Sequence, residues 1–198
     1  MEQRSADQAL RNTLIEQIRT AFDGVKRGDT ATEQQGITLQ EARVLDDYGT
    51  PEERGKAREA DTTTKWQDVP DGWIEEYYDT LCFLTPESLA YYLPAFMIWS
   101  LRYYDSQLPG RDMPGCLFGW LRPRKCVKSD YPVSDYTIYQ LTVTDPKAYP
   151  VERYEVLSAE QKKATAEFLD YFAKGFATAH VHDPEAQKAL DLYWGQFL

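Results

Sequence analysis

Helix-start signals recur along this chain and constrain its fold more than any other feature. Thr38-Leu39-Gln40-Glu41, Thr50-Pro51-Glu52-Glu53 and Ser158-Ala159-Glu160-Gln161 each set a hydroxyl residue three positions ahead of Glu or Gln. In such a capping box the hydroxyl accepts from the backbone N–H three residues on. The Glu or Gln side chain reaches back to the first residue's own N–H. Thr85-Pro86-Glu87-Ser88 and Asp183-Pro184 add two more starts, with proline where its missing N–H costs nothing. Apolar residues at helical spacing follow most of these starts: Leu89, Leu93, Phe96 and Met97; Ala164, Phe168, Leu169 and Phe172; Ala186, Ala189, Leu190 and Tyr193. Ahead of them, Leu10, Leu14, Ile18, Ala21, Phe22 and Val25 form a stripe over residues 10–25, ended near Gly24 or Gly28.

The expected architecture is therefore mainly α: a single-domain bundle of six or seven helices over residues 1–198, with residues 1–8 frayed. Residues 136–143, rich in β-branched and aromatic side chains, admit a minor β element. Residues 105–135 hold four of the 11 prolines and three of the 11 glycines, and read as an irregular loop region. The helix opened at Thr38 should run to Tyr48 and stop at Gly49 in the C′ position. The helix opened at Thr50 is polar throughout and should lie on the surface and fray. Asp71 should cap a helix carrying Trp73, Ile74, Tyr77 and Leu81. Pro94 lacks an N–H and crowds the Ala90 carbonyl, so a kink or break is expected between Tyr92 and Ala95.

The order of several blocks resembles a bacterial family of unknown function. The blocks are Gly36-Ile37-Thr38-Leu39-Gln40-Glu41-Ala42, Asp46-Asp47-Tyr48-Gly49, Trp66-Gln67-Asp68-Val69-Pro70 and Tyr92-Leu93-Pro94-Ala95-Phe96-Met97. The resemblance covers the first half of the chain. It implies a shared fold and a bacterial cytoplasmic protein, and it carries no catalytic residues with it.

Composition narrows the functional classes. Asp and Glu number 32 against 22 Lys and Arg, for a formal charge of −10. Residues 66–108 carry seven acids and one base, Arg102. Nucleic acid is disfavoured, because binding must neutralise phosphates. A basic partner protein suits the charge. The longest apolar run, Leu89 to Leu101, is too short for a bilayer span of about 20 residues, so no membrane association is expected. The segment Met1 to Asp7 has no apolar signal-like core. Cys82, Cys116 and Cys126 are odd in number and lack C-x-x-C spacing, as expected of reduced thiols in a cytoplasm, with Cys82 in the core.

Local chemistry motifs are sparse. His180 and His182 alternate along the chain, but no third ligand lies near them, so no metal and no cofactor are expected. No G-x-S-x-G, H-E-x-x-H or Gly-rich phosphate loop is present, and no catalytic residue is assigned. Trp120 to Lys128 interleaves bases with an aromatic and reads as a loop docking on the acidic 66–108 region. Residues 66–139 hold 16 of the 27 aromatics. Neighbours such as Tyr91-Tyr92 and Tyr103-Tyr104 cannot both point inward from a one-sided helix. The expectation is a non-enzymatic binding protein, regulatory or toxin-neutralising by analogy. Its acidic aromatic surface would include Asp46, Trp66, Tyr91, Tyr92 and Trp99, facing a basic protein. The alternatives are an aromatic ligand pocket or enzyme site at the Pro94 break, with Asp46 as an acid, and a homodimer that covers the aromatics.

Overall fold

The computed structural model describes residues 2–28, 36–107, 137, 141, 151–175 and 184–198. Seven α-helices have described bounds: α1 Glu2–Ala21, α2 Leu39–Asp46, α3 Pro51–Ala60, α4 Asp71–Glu76, α5 Pro86–Gln107, α6 Ala159–Ala173 and α7 Pro184–Leu192. Short 3-10 turns at Trp66–Asp68, Leu81–Phe83, Val151–Tyr154 and Trp194–Phe197 join or end them. The chain is a mainly α single domain, and no strand occurs among the described residues. Thr137 and Leu141, the described residues of the segment that admitted a β element, are helical. Both are buried. The expectations for residues 108–135, for Cys116 and Cys126, and for His180 and His182 lie outside the described residues.

Helix α5 is the centre of the core. From Leu89 to Leu101 every residue is buried, polar Ser100 included. A helix apolar all round must be covered all round. Helix α5 packs against α1, α4, the Trp66–Asp68 turn and the Val151–Tyr154 turn. Of the expected kink or break at Pro94, the break does not occur, and the helix continues through it. Proline in a helix interior costs about 3 kcal/mol. Burying a large apolar side chain contributes about 1.5–3 kcal/mol, and Leu93, Phe96 and Met97 are each buried within one turn of Pro94.

Helix α1 starts at Glu2, so the segment expected to fray is helical. Its buried stripe of Leu14, Ile15, Ile18 and Phe22 extends toward the N-terminus through a buried ion pair, Asp7 with Arg11 at 2.7 Å. Tyr171 on α6 donates to Asp7 at 2.8 Å, which satisfies the second carboxylate oxygen. Helix α6 packs on α1 and α7. The Trp194–Phe197 turn closes this end, with Trp194 fully buried and its indole N–H donating to the Leu141 carbonyl at 2.9 Å.

The caps follow the local signals. Thr50 with Glu53 and Ser158 with Gln161 form complete capping boxes, and Thr85 accepts from the Ser88 N–H at 3.3 Å. The N-cap of α4 is Pro70, and Asp71 is the first helical residue instead of the cap. Cys82, expected in the core, is exposed, because the Leu81–Phe83 turn sends Leu81 inward in its place.

Candidate functional site

The four expected aromatics lie in one core, and Asp46 lies apart from them. Tyr91 and Tyr92 are 1% and 0% exposed and meet edge to face at 4.9 Å. They belong to a buried polar network. The Arg27 guanidinium lies 2.6 Å from Asp61 and donates to the Tyr92 hydroxyl at 3.1 Å. Tyr92 in turn donates to Asp61. The other Asp61 oxygen accepts from the Thr63 backbone at 2.8 Å and its hydroxyl at 2.6 Å. Tyr91 donates to Thr63, and Arg27 sits over the Tyr91 ring at 5.6 Å. Burial, then the Asp61 charge, push the Tyr92 phenol far above its usual range, so it stays a neutral donor. This network ties the segment after α1 to the segment after α3 across α5.

Trp66 is also buried, and its indole N–H donates to the Phe22 carbonyl at 2.8 Å. Trp99 is 4% exposed, packs on Tyr103 at 5.1 Å, and has an indole N–H without a hydrogen-bond partner among the described residues. The four aromatics expected at an exposed surface are therefore core residues. The one-sided geometry assumed for their helix does not apply to α5. Asp46 lies elsewhere, at the C-terminal end of α2, paired with Arg43 at 3.3 Å. Arg43 also binds Asp79 and the Glu76 carbonyl, so Asp46 belongs to an ion-pair group at a helix edge. Pro94 lines neither of the two cavities described below.

Two features were hidden from local pattern. Glu41 keeps half of its capping box: its N–H donates to the Thr38 hydroxyl at 3.1 Å. Its carboxylate turns instead to α3 and receives Arg54 at 3.0 Å and Arg58 at 2.8 and 2.5 Å. The Glu41 side chain is fully buried. Burial alone would raise its pKa, but the hydrogen bonds from Arg58 and Arg54 outweigh that and hold it below the usual carboxylate range.

The second feature is the turn after α2. The helix ends at Asp46, two residues short of Tyr48, with Asp47 as C-cap and Tyr48 in the C′ position at φ 57°. Tyr48 N–H donates to Leu45 and Gly49 N–H to Val44, at 3.1 and 2.8 Å, which together make a Schellman motif. A Cβ on Gly49 would lie 2.3 Å from Val44 Cγ1, so glycine is required at C″ by close approach. Tyr48 is the only non-glycine with positive φ among the described residues. It is 96% exposed. Residues 46–53 hold four acids (Asp46, Asp47, Glu52 and Glu53) and no base.

Two cavities adjoin the described surface. An open groove of about 920 Å³ runs between α1 and α6, lined mainly by polar residues such as Gln17, Thr20, Glu160 and Lys163. A smaller cavity of about 100 Å³ lies between the Trp66–Asp68 turn, α1, α4 and α5. No helix among the described residues is long and apolar enough to cross a membrane.

This helical domain, with an acidic turn and a tyrosine at its tip, belongs to DUF6714, a family of unknown function whose model matches residues 10–198. The match extends well beyond the first half of the chain that carried the resemblance. No curated protein and no solved structure matched the chain.

Proposed function

We propose that this chain is a non-enzymatic bacterial cytoplasmic protein, regulatory or toxin-neutralising, that presents the acidic turn at residues 46–53 to a basic segment of a partner protein. Tyr48 is the central contact. The observation that carries this reading is its combination of near-complete exposure and a left-handed backbone. A bulky L-residue in that conformation costs about 1–2 kcal/mol, and Tyr48 recovers none of this by packing within the chain. Glycine would fill the C′ position without that cost. Exposed tyrosines serve as interface anchors because they offer large area at low ordering entropy. The four neighbouring acids supply attraction for lysine and arginine, and the net charge of −10 adds long-range steering.

Tyr48→Gly is expected to raise stability by about 1 kcal/mol in urea unfolding, through relief of the backbone alone. The same variant, and Tyr48→Ala, should lose a partner that wild type and Tyr48→Phe retain. The test is capture from native lysate at low and high salt, with eluted proteins identified by mass spectrometry. A basic protein held by wild type, released by high salt and missed by the Tyr48→Ala and Asp47→Asn variants supports the reading. Equal capture by Tyr48→Ala, or a bait that recovers no partner, sinks it.

A further inference from the structure

Where α7 runs into the Trp194–Phe197 turn, a row of side chains carries opposite charges at its two ends. The Tyr193 and Phe197 rings meet at 5.3 Å. Lys162, from α6, lies over the Phe197 ring at 5.6 Å. Tyr193 also packs on Tyr154 at 6.0 Å, and Glu155 follows Tyr154 in the chain. Burial, then the Glu155 charge, push the Tyr193 phenol above its usual range, which sets Glu155 beside Tyr193. Neighbours therefore run in the order Glu155, Tyr193, Phe197, Lys162. The row has a rigid base. Trp194 is fully buried, packs on Tyr154, Tyr193 and Phe197 at 4.9, 5.0 and 6.1 Å, and donates to the Leu141 carbonyl.

The outer side of the row meets solvent. Glu155 is exposed, and Tyr193, Phe197 and Lys162 are partly exposed. Val156 and Leu192, next in the chain to Glu155 and Tyr193, are 42% and 50% exposed. Neither Glu155 nor Lys162 makes an ion pair among the described residues. Two neighbouring charges are engaged elsewhere. Arg153 donates to the Leu81 carbonyl at 3.0 Å, and Asp191 accepts from Gln187 at 2.8 Å. A uniformly acidic or basic partner would meet a like charge at one end of the row. A second copy turned about a two-fold axis meets none, because its charges arrive in reverse order.

We propose that this row is the interface of a two-fold homodimer, lying antiparallel against its own copy. The Tyr193 and Phe197 rings pack on the same rings of the second copy and supply most of the contact area. Lys162 pairs with Glu155 of the partner subunit, and symmetry makes this pair twice. The two pairs fix the orientation more than the affinity. The net charge of −10 on each copy opposes association. Salt screens that repulsion beyond about 8 Å, so the expected dimer is weak, with a dissociation constant of roughly micromolar order. The row shares no residue with the Tyr48 turn.

The test is sedimentation velocity of the full chain at physiological salt, from about 5 to 500 μM, a range that brackets such a constant. Wild type should pass from monomer to dimer as concentration rises. Glu155→Lys and Lys162→Glu should each weaken the dimer about tenfold or more, because like charges then face each other at both ends. The two substitutions move the net charge in opposite directions, so a loss in both does not come from overall repulsion. Both side chains reach the surface, and circular dichroism should show each variant folded. An equimolar mixture of the two variants should dimerise again, because every acid in the mixed pair meets a base. The double swap of Glu155→Lys with Lys162→Glu should also dimerise. Tyr48→Ala should dimerise as wild type does, so this proposal and the reading of the acidic turn fail independently. Three results would overturn the proposal: a wild type that stays monomeric throughout, single variants that dimerise as well as wild type, and a mixture that stays monomeric. The first would leave the row to a different protein.

Discussion

Asp61→Ala is expected to destabilise the protein by about 3–5 kcal/mol in urea or thermal unfolding. The Asp61 side chain is fully buried, and its two oxygens take four donors: Arg27, the Tyr92 hydroxyl, and the Thr63 N–H and hydroxyl. Removing the carboxylate leaves Arg27 charged, 12% exposed and without its acid. Its remaining acceptor, the Tyr92 hydroxyl at 3.1 Å, is neutral and cannot replace the lost charge. Domains of this kind are stable by about 5–15 kcal/mol in total, so this one change removes roughly a fifth or more. The double variant Asp61→Leu with Arg27→Met should recover much of the loss, because breaking a buried pair costs more than replacing it. A loss below about 1 kcal/mol for Asp61→Ala would mean that water reaches the pair and that the network is not a lock.

The same residues show what local pattern can carry. Capping boxes at Thr50 and Ser158 were legible because every atom involved lies within four residues. Glu41 sits in the same pattern, but two arginines arriving from α3 outcompete the Thr38 N–H for its carboxylate. That competition is tertiary, and spacing cannot report it. The early part of α1 was missed for a related reason. Its stripe begins with Asp7 and Arg11, which are buried as a pair and do not register as apolar. The Tyr91-Tyr92 pair misleads because a helix surrounded on all sides accepts neighbouring aromatics, while Tyr103 is exposed as such a pair predicts. Pro94 misled in the same direction, since a buried helix can absorb a penalty that would break an isolated one. The acidic aromatic surface expected in residues 66–108 is not there, because Trp66, Tyr91, Tyr92 and Trp99 are core. The exposed tyrosine among acids lies one block earlier, in Asp46-Asp47-Tyr48-Gly49. A glycine next to a tyrosine does not reveal which of the two takes the left-handed turn. Here Val44 settles it, by leaving no room for a Cβ on Gly49.

Glu41→Ala is expected to release α3 from the domain, at a cost of about 3–5 kcal/mol. Helix α3 has no buried residue of its own, so an apolar face does not hold it. Its attachment runs through Arg54 and Arg58 onto one fully buried carboxylate. Without Glu41 the two guanidiniums, side by side on α3, meet the α2 contact with no acid to receive them. Amide exchange should then lose protection across residues 51–60 well before the α5 core opens, and trypsin should cut at Arg54 and Arg58. Acid should reproduce this in the wild type. The folded pKa of Glu41 lies below the ordinary value of 4.5. Its contribution is therefore complete above about pH 4.5 and drains away as the pH falls through the lower, folded-state value. Protection of α3 should follow that course in wild type, while Glu41→Gln should lack α3 protection at neutral pH and change little on acidification through this window. Uniform loss of protection in α3 and α5 together would show that α3 is bound by something other than Glu41. A wild-type α3 that stays protected to pH 2 would show that the guanidiniums do not depend on the ionised carboxylate.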